Sequence, residues 1–289
     1  CSYVGATQHL AAMAQPPHLT TIIPADPSIN HGLGAVIYGG AFRLRVWNWH
    51  MAQAATGSRQ ARDPAVKSVL KQQADDRRHY LLNLPLRRGT TPLKVASEYE
   101  DMLLRMMEHR RNDDFWRFNN IIQYAGEHKD IPVFLIGGWY DLFSSSTTET
   151  YMALQKTMRG PVHLIMGPWI HGMQGRSNGQ VDFGPDAAVD MTPIRQAWYD
   201  RWLKGNEAEF GTQVPFRTPV RMFVMGTGDG HKTEDGKLSH GGYWRDAADY
   251  PLPEAQPTNY YLYGDGSLAT AAPSEKTSST TFDFDPQNP

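Results

Sequence analysis

The sequence predicts an α/β fold on a parallel sheet, interrupted by a helical insertion and followed by the start of an all-β domain. Three observations lead there. Short apolar, β-branched runs alternate with helical segments on either side of the insertion, the pattern of strands joined by helical crossovers. Between these parts, about 100 residues carry helical periodicity with no strong strand. After about Pro215 the helical signal stops, and strand-like runs separated by Gly/Asp turns replace it.

Each element has a local reason. Residues 3–15 read as a helix rich in Ala, Leu and Met, stopped by Pro16-Pro17. Leu19 to Pro24 holds Thr20, Thr21, Ile22 and Ile23, a β-branched run suited to a short buried strand. Within residues 32–130, Phe42 to Ala55, Asp63 to Leu82 and Val95 to Arg111 look helical, the first two charged on one side. Strand texture returns at Pro132 to Ile136, ended by Gly137-Gly138, and again at Val162 to Met166, with a helix from about Ser146 to Met158 between them. Thr192-Pro193 reads as a helix start with Thr192 as N-cap, and Gly205 sits where a C-terminal cap belongs. Ile194, Ala197, Trp198, Trp202 and Leu203 share one face of that helix. Val220–Met225, Asn259–Tyr263 and Thr280–Phe284 are strand-like, with turns such as Gly264-Asp265-Gly266. The expected organisation is a core of residues 1–31 and 131–214, a helical insertion of 32–130, and a partial β-sandwich of 215–289.

Composition removes several functions. With 289 residues, 28 Lys+Arg against 30 Asp+Glu and a net charge of −2, the chain shows no basic stripe for nucleic acid or a membrane surface. Mean hydropathy is −0.52, and no apolar run approaches the roughly 18 residues that span a bilayer. Cys1 is the single cysteine, which leaves no intrachain disulfide and no Cys-based zinc site. The chain begins with Cys and stops at Pro289 without a closing element, so it is expected to be cut from a longer protein. Its compartment, cytoplasmic or secreted, and the formation of a homo-oligomer are therefore left open.

Three residues share one geometric property. In an open parallel sheet, functional groups gather at the carboxyl ends of the strands. Asp141 follows the strand ending at Ile136, His171 follows the strand ending at Met166, and Ser2 immediately precedes the first helix. Singly, each has a plain reading: a helix N-cap for Ser2, a turn or cap for Asp141, and a loop histidine satisfied by a carbonyl for His171. Together they run in the order Ser, Asp, His, the chain order of α/β-hydrolases and not that of chymotrypsin or subtilisin. The chemistry needs these types. The imidazole takes the serine proton, the carboxylate fixes the imidazole tautomer, and the Tyr3 backbone N–H at a helix start faces a developing oxyanion.

The surrounding motifs resemble one family. Cys1-Ser2-Tyr3-Val4-Gly5 resembles the end of the G-x-S-Y-x-G nucleophile elbow of the cocaine esterase / X-Pro dipeptidyl-peptidase (CocE/NonD) family of serine hydrolases. Gly138-Trp139-Tyr140-Asp141 resembles its G-W-Y-D motif, and Gly167-Pro168-Trp169-Ile170-His171 its G-P-W-x-H motif. Asp182-Phe183-Gly184, Trp202 to Gly205, Pro219 to Gly226, Trp244-Arg245 and Tyr260 to Leu262 extend the similarity to about residue 268. The resemblance implies an α/β-hydrolase core with an inserted helical cap and a following jelly-roll domain. It implies Ser2 as nucleophile, His171 as base and then acid, Asp141 as orienter and Tyr3 as an oxyanion donor, without metal or cofactor. The family's second oxyanion donor is a tyrosine hydroxyl upstream of the elbow, so a chain beginning at Cys1 is expected to be inactive alone.

Other residues carry weaker expectations. Trp139, Tyr140 and Trp169 flank the acid and base loops and are expected to wall the acyl pocket, with plain packing as the competing reading. Trp47, Trp49, Phe115 and Trp116 fit helix-face packing better than a cover over the substrate. Asp113-Asp114 reads as a solvated charge pair before it reads as an amine anchor. Asp229, Glu234 and Asp235 lack the spacing of an EF-hand calcium loop and read as a polar hairpin loop. The expected activity is hydrolysis of small acyl esters or amides through an acyl-enzyme. Within that class the alternative is a dipeptidyl-peptidase or α-amino-acid ester hydrolase. From another class, the alternative is a non-catalytic binding protein with a remnant hydrolase half.

Overall fold

The computed structural model describes residues 1–75, 85–206, 218–275, 277–279 and 281–285. Helix α1 spans Tyr3–Met13 and closes at Ala14, just before the expected proline stop. The segment after Pro17 runs alongside the sheet as an irregular outer strand. Ile22 and Ala25 bridge in parallel to Val133 and Ile136. Ile22 N–H donates to the Pro132 carbonyl, and the Ile22 and Pro24 carbonyls accept from Phe134 and Ile136. In this register residue 24 would donate to the next carbonyl, and proline has no N–H to give, so the ladder is broken there.

The insertion folds largely as its periodicity requires. A departure is a short hairpin, β1 Ile37–Tyr38 paired with β2 Ala41–Phe42. It turns on Gly39 and Gly40, both at positive φ, 57° and 84°, as a two-residue hairpin turn demands. Helices α2 Leu44–Gly57, α3 Pro64–Asp75 and α4 Ser97–Glu108 follow. The end of the expected helix over 63–82 lies outside the described residues. Trp47, Met51, Ala54, Leu70, Leu93 and Leu103 form one buried cluster of the insertion. Val36, Ile37, Met106 and Trp116 form another near the hairpin.

The chain then returns to the sheet. Strand β3 Val133–Gly138, helix α5 Ser144–Thr157 and strand β4 Val162–Gly167 form a parallel crossover unit, with β3 and β4 in register from Val133↔Val162 to Gly138↔Gly167. All six residues of β3 are buried, as in a sheet covered on both faces. Two short strands, β5 Ser177–Asn178 and β6 Val181–Asp182, lie in the loop beyond β4. Helix α6 Met191–Lys204 is capped by Asp190, whose carboxylate accepts the Thr192 N–H at 2.8 Å, so the cap is Asp190 and not Thr192. Gly205 closes it at φ 72° as expected. Ile194, Ala197 and Trp198 pack with Ile23, Phe134, Ile136 and Ile165, while Leu203 falls off that face and is exposed. Trp198 Nε1 donates to Thr21 Oγ1 at 2.7 Å, tying α6 to the outer strand.

The domain boundary expected at 215 is corrected. Strand β7 Val220–Met225 pairs in parallel with β4 through Leu164↔Val220 to Met166↔Met222. After β8 Leu238–Ser239, which joins β6, strand β9 Gly242–Ala247 pairs antiparallel with β7 over six residues. The four-stranded sheet is therefore ordered β3-β4-β7-β9, and these residues extend the core instead of opening a β-sandwich. The apolar run at 220–225 suits a buried parallel strand as well as a sandwich strand, and only its distant partner decides. Residues 1–250 form one unit and residues 251–289 a second. The second contains one hairpin among its described residues, β10 Tyr261–Leu262 with β11 Leu268–Ala269. Thr280 lies outside the described residues, and Thr281 to Asp285 form no strand, so the expected jelly-roll is not met in this span.

Candidate active site

Two of the expected residues meet directly. Beyond β3, the Asp141 N–H closes a turn on the Gly138 carbonyl, and α5 begins three residues later at Ser144. Asp141 Oδ1 accepts the Phe143 N–H at 2.6 Å, and Oδ2 accepts His171 Nδ1 at 2.5 Å. The aspartate side chain is almost wholly buried, and the histidine side chain is 24% exposed. His171 sits in a tight turn in which the Met173 N–H returns to the Ile170 carbonyl and Gly172 takes φ 73°. The Phe143 ring meets the imidazole edge-on at 5.5 Å. With Nδ1 donating to the carboxylate, Nε2 is the acceptor of the neutral ring.

Ser2 stands at the start of α1 with φ 58° and ψ −129°, a conformation that L-residues adopt only where their surroundings hold it. Its N–H donates to the Ala25 and Asp26 carbonyls, and it bridges in parallel to Pro27, so the serine is fixed to the end of the outer strand. Its hydroxyl makes no hydrogen bond among the described residues. The preceding Cys1 Sγ lies 3.4 Å from where a Cβ on Gly172 would be, which brings the elbow against the histidine turn. The Tyr3 N–H, in the first turn of α1, has no backbone acceptor.

The pocket expectations divide. Trp169 is corrected: it is 2% exposed, packs in the core with Ile136 and Ile165, and donates Nε1 to the Ala187 carbonyl at 2.7 Å. A Cβ at Gly167 would stand 2.1 Å from its ring, so the motif's glycine makes room for this tryptophan. Trp139 is half-buried and donates its indole N–H to the Phe223 carbonyl of β7 at 2.9 Å, which ties it to the sheet. Tyr140 is the most exposed of the three, at 46%, with Phe183 behind it at 5.7 Å. Trp47 and Trp116 are buried in the insertion as packing predicts, Phe115 stacks on His109, and Trp49 is exposed. Asp113 is exposed and accepts from His109 Nδ1 at 2.7 Å. Asp235 pairs with Lys237 and with Thr233 Oγ1, the pattern of a polar hairpin loop.

One residue of the site was not expected. Asp26 lies at the end of the outer strand, 2% exposed, and its Oδ2 accepts the Gly172 N–H at 3.0 Å. Asp26, Asp141 and His171 each bring a ligand-type atom within 4.8 Å of the others. Burial, with the Asp141 charge second, pushes the Asp26 carboxyl up to about 6. Three such groups also resemble a metal-ligand set, but 2.5 Å between Nδ1 and Oδ2 is a hydrogen bond. Two ligands about 2.1 Å from one tetrahedral ion would lie about 3.4 Å apart. The strand-end rule that singled out Asp141 and His171, applied to the run ending at Pro24, would have found Asp26.

Comparison with known proteins adds to this geometry. Residues 1–173 match the family described as X-Pro dipeptidyl-peptidase (S15 family). Cocaine esterase from Rhodococcus sp. (strain MB1 Bresler) is 29% identical over 195 residues, 64% of this chain and 30% of that protein, so the chain spans about a third of its relative's length. Among solved structures, a CocE/NonD family hydrolase from Staphylococcus aureus is similar with a TM-score of 0.55 and 17% identity, over 93% of this chain and 37% of its own. An α-amino acid ester hydrolase is similar with a TM-score of 0.58 and 20% identity, over 93% of this chain and 42% of its own.

Proposed function

The chain belongs to the X-Pro dipeptidyl-peptidase (S15) family of hydrolases, with the mixed sheet and helices of an α/β-hydrolase, and from that premise we propose that it is a serine hydrolase cleaving acyl esters or amides through an acyl-enzyme. The observation that carries the reading is the hydrogen bond from His171 Nδ1 to buried Asp141 at 2.5 Å, which leaves Nε2 as the acceptor of a partly exposed ring, on the turn that Cys1 of the Ser2 segment approaches.

In this reading Nε2 takes the Ser2 proton as Oγ attacks the acyl carbon, and Asp141 stabilises the imidazolium that forms. The negative charge on the former carbonyl oxygen faces the Tyr3 N–H at the positive end of α1. Collapse breaks the bond to the leaving group, which departs with the proton from Nε2. Water, deprotonated by the same nitrogen, then cleaves the acyl-serine ester and restores Ser2. Tyr140, exposed immediately before Asp141, is the motif aromatic assigned to border the acyl group. An amine-selective peptidase or amino-ester hydrolase would need a cap carboxylate free for the substrate; of the Asp113-Asp114 pair, Asp113 is engaged by His109 and by the Phe115 N–H, and Asp114 is exposed.

The test is covalent labelling of the complete gene product with a fluorophosphonate, followed by peptide mapping. Label on Ser2, lost together with esterase activity in Ser2→Ala, supports the proposal. Full esterase activity in Ser2→Ala refutes it, and a folded product that neither labels nor turns over any acyl substrate leaves the non-catalytic binding protein as the reading.

A further inference from the structure

We infer that Asp26 is a positioning residue of this site, a second carboxylate that holds the turn carrying His171 from the strand next to the one that supplies Asp141. The inference rests on the serine-hydrolase reading above and deepens it. Its basis is geometric. Three successive parallel segments of one sheet deliver three groups to one edge: Asp26 after the outer strand, Asp141 after β3 and His171 after β4. Asp141 grips the ring at Nδ1, whereas Asp26 grips the following peptide through the Gly172 N–H at 3.0 Å. A ring held at one atom can still swing about that hydrogen bond. Fixing the peptide that bears it removes this freedom, as a base aligned on a nucleophile requires.

Asp26 is also an expensive residue to place here. It sits at φ 41°, in the left-handed region, buried to 2% exposure. Its backbone N–H is used on the Ile136 carbonyl and its carbonyl on the Ser2 N–H, so the same residue ties the nucleophile, the β3 end and the histidine turn together. The Gly172 N–H is its one side-chain hydrogen-bond partner among the described residues. The charged groups facing it within the site are Asp141 and His171. A turn-forming aspartate needs none of this, since it would be exposed and paired with its own backbone. Removing the Asp26 charge takes away a negative charge that faces the histidine turn, and removing the acceptor frees the Gly172 N–H.

The experiment measures kcat and KM against pH for a p-nitrophenyl ester in the complete gene product, for the parent, Asp26→Asn, Asp26→Ala and Ser2→Ala. Asn keeps an oxygen for Gly172 and drops the charge. The acid limb of kcat/KM is expected to move to lower pH by about half a unit or more, with the plateau within about threefold. Ala drops both, and kcat is expected to fall on the order of 10- to 100-fold with KM nearly unchanged. If Asp26→Ala fails to fold by near-UV circular dichroism, the acid limb of Asp26→Asn decides alone. Parent-like plateau and acid limb in the Asp26 variants, with activity lost in Ser2→Ala, overturn this inference and leave the serine reading standing. Activity retained in Ser2→Ala overturns both.

Discussion

Two carboxylates in this molecule are equally buried and differently placed. Glu100 of the helical insertion and Asp26 of the sheet edge are both 2% exposed. Glu100 receives the Gly89 N–H at 3.1 and 3.0 Å and the Thr91 hydroxyl at 2.5 Å, all from one neighbouring loop. Asp26 receives one N–H and faces Asp141, another acid. Burial is the same, so burial is not what marks a site. What differs is satisfaction: Glu100 is met by two donors, while Asp26 is met by one and set against a second acid.

The largest expected effect tests whether the sheet edge is chemical at all. Asp141→Asn keeps the shape but lets the amide donate toward Nδ1, favouring the wrong tautomer, and should lower kcat/KM by about 10⁴-fold with the fold intact. A loss of only a few-fold would reduce the Asp141–His171 contact to packing, and the contrast with Glu100 would vanish.

Next in size is the structural arm. Glu100→Gln turns an NH₂ group toward the Gly89 N–H in either amide orientation, since that N–H meets both oxygens, and should cost about 2–3 kcal/mol, read as a lower urea midpoint. Activity per folded molecule should stay at the parent level. Activity lost without loss of stability would make Glu100 a functional acid and break the comparison from the other side.

The same isosteric change at Asp26 should have the opposite sign. The folded chain holds the Asp26 proton up to about 6, against an unfolded value near 3.9. Between these values the native state binds more protons than the unfolded one. The stability contributed by the protonated carboxyl is therefore present below about pH 4 and lost as pH rises through about 6. Asn does not titrate. Asp26→Asn should accordingly match the parent near pH 4 and exceed it at pH 8, by at most about 3 kcal/mol for a shift of roughly two units. A variant less stable at pH 8 would mean that the charge is compensated and Asp26 resembles Glu100.

Much of this was legible in the chain. The β-branched and apolar runs at 132–136 and 162–166 marked two strands, and the rule that function gathers at strand ends then selected Asp141 and His171. Other features depended on partners that no local pattern reveals. Val220–Met225 is apolar throughout, which fits a sandwich strand and a parallel core strand equally, and its pairing with Leu164 to Met166 spans more than fifty residues. Trp169 and Tyr140 are aromatic neighbours of the same loops, yet one turns into the core beneath Gly167 and the other faces out. That choice is set by the space left by a glycine, not by the aromatic itself. Asp26 was legible too, two residues beyond the strand-like run Leu19 to Pro24, but a lone acid just after a proline reads first as a turn residue.

The smallest expected effect places a third acid on the same scale. Asp113 is exposed, and its hydrogen bond to His109 holds its carboxyl below the usual range. It also caps the short turn at Phe115. Such a pair in water contributes little, so Asp113→Ala should shift Tm by no more than about 2 °C. It should also leave unchanged the ratio of turnover for free-amine and N-blocked ester substrates. That ratio is the informative part. A selective loss of more than about threefold on free-amine substrates would show an exposed, well-partnered acid acting on substrate. Satisfaction would then not separate structural from functional carboxylates here, and the amine-recognising alternative would gain its first residue.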